Sequence, residues 1–559
     1  MVNRLNKKIS FEIIIGLLAG FAMMSCSNYL DVNPKTSGQL LSQNYYQDST
    51  QCYSALAATY SGVRTNSGGF YCQLMSLNPA SDDQYAGGGG ATDGGGLQNV
   101  SNWTLNATNI GDNTSGPAYL WYNAYIGIAN ANILLSKLGG ASMSAGLKTR
   151  MTAECKALRA FYYFNLVRIW GHVPLLLQPV SASNLYDVKQ SNPADVYKQI
   201  EKDLTEAIPD LPMLLSAAEV GRFSQGAATA LLGKVYLYEG DGVPGAKNPD
   251  GTDALPGDPT KYAKAVQMLA KVNGSNSGSS FSSTYGYKLL PHYSDLWSNK
   301  LTNASPLFSS TPGRFNSEAI FEDVHTNQGL TGWGNWSSGS DMGNTMCTTT
   351  GPRSYAVVDA TKAPALSTLG NWSFDIITSD AFNFMQSYTS GTDSRMSSTI
   401  LNMKQLASDN SAKYSGGYMD TGYFLYKFQP LKSDESTLGG DGPLNYQQDT
   451  YIIRLADTYL MEAEALLKSS GDQSRALALV NAVRSRAGAT PLTSLTLQNI
   501  YNERRMEFMG EGLRYLDLVR TGQAATVLGP RGFTAHKNEY FPIPYKEMQN
   551  QNFKQNYGY

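Results

Sequence analysis

Four histidines, five cysteines and a charged fraction of only 16% leave this 559-residue chain short of the groups that perform most enzymatic chemistry. The histidines (His172, His292, His325, His536) stand singly. The cysteines (Cys26, Cys52, Cys72, Cys155, Cys347) form no CxxC and no Cys/His cluster at metal-ligand spacing, so no resident metal or other cofactor is expected. Spacing alone does not decide whether Cys52 and Cys72 pair. There is no G-x-S-x-G elbow, no H-E-x-x-H helix and no P-loop, so the hydrolases and nucleotide enzymes that carry these motifs are not indicated. Formal net charge is -2 and no basic stripe exists, so nucleic acid is not an expected partner.

What the chain does hold is apolar and amide-rich. Hydrophobic residues make up 42%, ample for a core, and the length suits three or four domain equivalents or one large helical unit. With so little charge, the polar surface must come from Asn, Gln, Ser, Thr, Gly and Tyr. Tyr is abundant at 35 residues against 19 Phe. Amides hydrogen-bond hydroxyls and rings cover sugar C–H faces, so such a surface suits neutral, polyhydroxylated ligands. The same composition also fits an ordinary secreted protein.

The N-terminus reads as an address. Arg4, Lys7 and Lys8 precede an apolar run from Ile13 to Met24, too short to span a bilayer. Ser25-Cys26 then closes it in the manner of a bacterial lipoprotein cleavage box, with Met23 where Leu is commoner. Residues 1–25 are expected to be a signal peptide, Cys26 the lipidated N-terminus and 26–42 a tether. Losing 1–25 takes the net charge to about -4. No later apolar stretch is long enough for a membrane helix.

Helical periodicity predicts helices over 51–60, 119–138, 148–170, 194–208, 226–240 and 262–273. Pro193 and Gly171 punctuate them. Ser67–Gly96, with Gly-Gly-Gly-Gly at 87–90, reads as one long loop. From Asn273 to Asp449 the periodicity fades, and Ala319–Asp323 reads as a short strand or loop. Helix is expected again from Tyr451, then over 475–487 (Asp472 as N-cap), 497–509 and 512–520. The fold class is therefore mainly α. Helical hairpins of tetratricopeptide type form a scaffold, without a clean 34-residue repeat, and a large irregular insertion interrupts it. The expected regions are 43–272, 273–449 and 450–559.

Four stretches, in order, resemble the SusD/RagB family. They are Ser27-Asn28-Tyr29-Leu30-Asp31-Val32-Asn33-Pro34 after the lipid-type Cys, then Ala153 to Val167 running on to Gly171-His172-Val173-Pro174-Leu175. The third runs from Tyr451 through Asn481-Ala482-Val483-Arg484-Ser485-Arg486 and Glu503-Arg504-Arg505-Met506-Glu507-Phe508 to Arg520. The fourth is Phe541-Pro542-Ile543-Pro544 with the C-terminal Gln555-Asn556-Tyr557-Gly558-Tyr559. The resemblance implies a lipid-anchored outer-membrane protein at the cell surface of a Bacteroidetes-type bacterium. It implies a SusC-like TonB-dependent transporter as partner, and oligosaccharide or polysaccharide as ligand. Peptide capture within the family is the alternative, and a surface glycoside hydrolase a further one. The charge-dense C-terminal motifs allow two readings. Glu503 and Glu507 form either a catalytic carboxylate pair or part of an ion-pair network that fixes helix packing. The network reading is the expected one, so the chain is not expected to be an enzyme.

Binding residues are sought among seven Trp. Trp121, Trp170 and Trp297 are expected in the core. Trp333 and Trp336 lie in a Gly/Ser loop with little apolar context to bury them. They are candidates for a sugar platform, or else for a loop staple packed inward. Trp372, between Asn371 and Ser373, is a further candidate, and Asn335 and Arg353 are candidate polar contacts. The resemblance adds Trp103, since the family's glycan sites commonly draw an aromatic from that region. It also adds Asp82 and Asp83, at the upstream acidic position, for which a turn-forming pair is the other reading.

Overall fold

The computed structural model describes residues 45–559 except 182, 278–279, 298–312, 329–330, 335 and 337–341. Cys26, the tether and Asn335 therefore lie outside the described residues.

The scaffold is a succession of paired helices: α1 (Ser49–Tyr60), α2 (Ala118–Lys137), α3 (Ala145–Trp170), α4 (Pro193–Ala207), α5 (Gln225–Asp241) and α6 (Thr260–Asn273), then α7 (Leu455–Lys468), α8 (Gln473–Ala487), α9 (Leu497–Phe508) and α10 (Arg514–Arg520). Most helices pack on their sequence neighbours, α2 on α3, α3 on α4, α5 on α6 and α7 on α8, while α9 packs on α7. Local signals set the ends. Ser144 accepts from Leu147 N to start α3, and Gly171, at φ +65°, stops it. Pro193 opens α4 behind the cap Asn192. Asp472 caps α8 as expected, and Gly488 closes it in the left-handed region.

One apolar core runs through these helices, with Trp121, Tyr163, Phe164 and Trp170 almost fully buried. Many of the charges it encloses are paired, while Arg168 bonds Asn165 and lies over the Phe164 ring. Lys234 and Arg504 hold Asp457 (2.9 and 2.7 Å), while Arg520 bridges Glu464, Asp517 and Asp241.

α6 and α7 pack directly together although the whole insertion lies between them in sequence. The intervening chain thus leaves and rejoins the scaffold at one place. A two-stranded ladder closes that neck: β2 (Ala319–Asp323) runs antiparallel to β4 (Thr450–Arg454), pairing Thr450 with Asp323 and Arg454 with Ala319. The helix expected from Tyr451 therefore begins at Leu455. Tyr451 and Ile453, aromatic and β-branched, find ladder partners, which overrides their helical spacing.

The Gly-rich segment also differs from expectation. Ser67–Gly96 is not one loop. It contains the helix Gln73–Leu77 and β1 (Gln84–Gly87), with Leu74, Met75 and Leu77 buried. β1 pairs with β3 (Phe374–Ile377), Gly87 opposite Phe374. These elements build a second core with Cys72, Met346, Phe374, Tyr446 and Met506. Cys52 and Cys72 are both buried free thiols. No helix among the described residues is long and apolar enough to cross a membrane.

Candidate functional site

Trp372 is presented by an irregular turn before β3. Gly370, Asn371 and Ser373 all have positive φ (96°, 60° and 59°). Asn371 Nδ2 donates to Ser367 O at 2.8 Å, and Ser373 N to Gly351 O at 2.9 Å, which holds the left-handed conformations. Strain of this kind persists only where surroundings over-determine it, and it concentrates at binding sites.

Around Trp372 the rings form a stack graded from core to solvent. Phe374 is 2% exposed and meets Phe70 edge to face at 5.0 Å. Phe70 touches Trp336 (6.0 Å) and Trp372 (6.4 Å). Trp336 stands perpendicular to Trp372 at 5.7 Å. Trp333 lies nearly parallel to Trp372, at 5.7 Å and 23°, and is itself 48% exposed. Its backbone N–H donates to Asp441 Oδ2 at 2.9 Å, fixing the loop from outside. Trp333, Trp336 and Trp372, drawn from two separate segments of the insertion, thus share one surface cluster.

The Gly-rich loop borders this cluster. Gly88 and Gly94 approach the Phe374 ring so closely that a Cβ on either would lie 2.7 or 2.9 Å from it. Within the loop Asp93 accepts from Gly89 N at 2.7 Å and meets Arg353 Nη2 at 3.3 Å. Arg353 is one-third exposed and stands at the rim rather than among the indoles. Phe70, Asp93 and Asp441 were not identified from sequence. Gly68-Gly69-Phe70-Tyr71 carried the same signal as the Trp333 loop, an aromatic beside glycines.

Three sequence candidates move away from any ligand surface. Trp103 is 5% exposed and packs against Phe533 (4.9 Å), Tyr515 (5.3 Å) and Phe541 (6.2 Å) in the scaffold core. C-terminal aromatics distant in sequence enclose it. Asp82 is gripped by Arg514 (2.8 Å) and Arg505 (2.9 Å), and Asp83 by Arg505 (2.7 Å). Burial works against the Asp82 charge, but Arg514 and Arg505 outweigh it and hold the carboxyl below its usual range. Burial pushes the Asp83 carboxyl up despite Arg505. The pair ties the 81–84 segment to α9 and α10.

Glu503 and Glu507 are fully buried. Arg395 bonds Asp393, Glu503 and Glu507. Arg484 reaches Glu503 at 2.6 Å, Arg454 reaches Glu507 at 2.6 Å, and Arg486 joins Glu507 to Glu318. Burial opposes the Glu507 charge, but Arg486, Arg454 and Arg395 outweigh it and hold the carboxyl at about 2. A carboxylate so fixed is neither a general acid near neutrality nor in reach of a substrate. Among the described residues no group of three or more His, Cys, Asp or Glu is placed to hold a metal ion.

Comparison with known proteins bears on the family and the fold. A family model described as SusD family matches residues 376–559, and one described as starch-binding associating with outer membrane matches 85–237. A solved laminarin binding SusD-like protein is 44% identical, with a TM-score of 0.81 over 92% of this chain and 100% of its own. Surface glycan-binding protein A from Bacteroides thetaiotaomicron is 25% identical, with a TM-score of 0.74 over 92% of this chain and 100% of its own. A SusD-like protein of Bacteroides ovatus is 27% identical over 428 residues, covering 74% of this chain and 67% of the relative.

Proposed function

This chain belongs to the SusD family, and from that premise we propose that it captures a neutral glycan at the cell surface on the Trp333–Trp336–Trp372 platform, without cleaving it. The observation that carries the reading is the graded ring stack. The exposed Trp333 stacks on Trp372, and Phe70, backed by Phe374, supports Trp372 and Trp336, so the rings meet a ligand already ordered. A pyranose laid on one indole covers about 100 Å² of apolar surface, or about 2.5 kcal/mol before ordering costs. Two or three such contacts correspond to dissociation constants of roughly mM to µM, suited to capture followed by release. Glu503 and Glu507, the candidate carboxylate pair, are locked in ion pairs. The site is aromatic and bordered by one Arg–Asp pair, which fits sugar better than a charged peptide. Laminarin, the ligand named for the 44%-identical relative, is the first glycan to try. Lipid on Cys26 would keep the protein at the outer membrane, and a SusC-like TonB-dependent transporter would receive the captured chain.

The test is calorimetric titration of laminarin into the protein lacking residues 1–26. Trp333→Ala with Trp336→Ala is expected to weaken binding at least tenfold while the far-UV spectrum and melting temperature stay close to wild type. Unchanged affinity removes the platform from the site.

A further inference from the structure

A second concavity, of about 820 Å³, lies in the insertion and shares no lining residue with the Trp platform. The turn at 361–364, the helix Ser379–Tyr388, the segment 393–406 and Tyr426 enclose it.

Its lining has two kinds of side chain. Phe382 and Tyr426 are half-buried and offer ring surface. Phe382 is held by stacking on Tyr423, with centroids 3.9 Å apart and planes 10° from parallel. Thr361, Ser397, Asn402 and Gln405 supply hydroxyls and carboxamides. Asn402 Oδ1 accepts from Gln405 N at 3.0 Å to cap the helix Met403–Ser408, while its Nδ2 bonds no described residue. The Tyr426 hydroxyl also bonds no described residue. Gln405 Nε2 reaches only Asp409, at 3.5 Å.

Charge in the concavity is largely neutralised. Asp393 gives both oxygens to Arg395, at 2.9 and 2.7 Å. Lys362 lies 3.5 Å from Asp359. Ring surface bordered by uncharged donors and acceptors is the chemistry that recognises a neutral polyhydroxylated ligand.

We propose that this concavity is a second saccharide-binding site, separate from the Trp platform. The choice of saccharide as ligand class rests on the glycan-binding reading above. A polymer engaging both sites at once is retained longer than an oligosaccharide at either.

Laminarihexaose, cellohexaose and maltohexaose, titrated calorimetrically, test it. The proteins are wild type, the platform variant (Trp333→Ala with Trp336→Ala), a pocket variant (Asn402→Asp with Gln405→Ala), a blocking variant (Ser397→Trp) and the combinations. Asn402→Asp keeps the capping oxygen and removes the amide donors, so the helix at 403–408 keeps its start. Ser397 is exposed, so Trp there fills space without entering the core.

Wild type is expected to take two equivalents of at least one hexaose. The platform variant is expected to retain one, and adding either pocket change is expected to weaken that residual binding at least tenfold. One equivalent that the platform variant abolishes overturns the second site and leaves the platform reading standing. Residual binding that neither pocket change weakens also overturns it. One equivalent that survives in the platform variant and is lost in the pocket variant upholds the pocket and overturns the platform.

Discussion

Each oxygen of Glu507 is claimed by an arginine: Oε1 by Arg454 and Arg486, Oε2 by Arg395. Counting outward from it, Arg395, Arg454, Arg484, Arg486 and Lys427 face Asp393, Glu503, Glu507, Glu511 and Glu318, five cations against five anions. A buried charge is tolerated only when matched, so removing one member exposes the rest to the full desolvation cost. Glu507→Gln is expected to lower unfolding free energy by about 3–5 kcal/mol, measured by urea denaturation. Glycan affinity of the folded fraction should stay at the wild-type value, because the network lies apart from the indoles. At residue scale, the sequence showed the density of charge in the C-terminal motifs but not the partner of each. Arg395 comes from the insertion and meets Glu503 and Glu507 of α9 only through the fold, and Glu318, also from the insertion, joins the network through Arg454 and Arg486. The same holds for Asp82 and Asp83. An acidic pair beside a Gly-rich stretch looks available for hydroxyls until Arg505 and Arg514, from the opposite end of the chain, occupy it.

At the scale of elements, the platform depends on how closely the Gly-rich loop approaches β3. Gly88 has φ +94°, a region that L side chains rarely adopt, and its missing Cβ makes room for the Phe374 ring. Gly88→Ala is expected to cost about 1–3 kcal/mol in backbone strain and contact and to push Phe374 against Phe70. Because Phe70 supports Trp336 and Trp372, glycan affinity should fall by several-fold while the melting temperature drops only modestly. Calorimetry and thermal denaturation of one sample read both. Equal affinity for wild type and variant would mean that the indoles do not take their position from the loop. Helix positions in the scaffold were legible to within a few residues because helical periodicity and caps are local signals. The 450–454 ladder was missed because its partner strand, Ala319–Asp323, lies at the far side of the insertion, and periodicity does not report such a pairing.

For the whole molecule, acid should weaken the scaffold in a defined window. The folded values of Glu507 and Glu464 lie at about 2, below the ordinary 4.5. A depressed folded value means that the unfolded chain binds the proton more tightly. The associated stability is therefore complete above about pH 4.5 and is lost progressively as pH falls toward 2. The drop in denaturation midpoint caused by Glu464→Gln is expected to hold from pH 7 to about pH 5 and to shrink below it. A drop that grows on acidification to pH 3 would contradict this sign. The second whole-molecule expectation concerns place. Cys26→Ala should shift the protein from the membrane fraction to the soluble fraction after cell breakage, because it removes the thiol that would carry the lipid. Continued sedimentation with membranes would reject the lipid anchor.

What the sequence determined by itself were the features written locally: an N-terminal run ending in Ser-Cys, the periodic helices with their caps, a composition rich in amide and tyrosine, and the motifs that resemble one family. It also placed Trp333 and Trp336 in a segment poor in apolar neighbours. Burial and pairing belong to contacts between distant segments, and only the tertiary structure settled those. It enclosed Trp103 among C-terminal aromatics and engaged Asp82 and Asp83 with arginines. It brought three indoles together and set two of them, Trp336 and Trp372, on Phe70. The physical reason is that exposure is a property of what packs on a side chain, and in this chain the packing partners come from remote parts of the sequence.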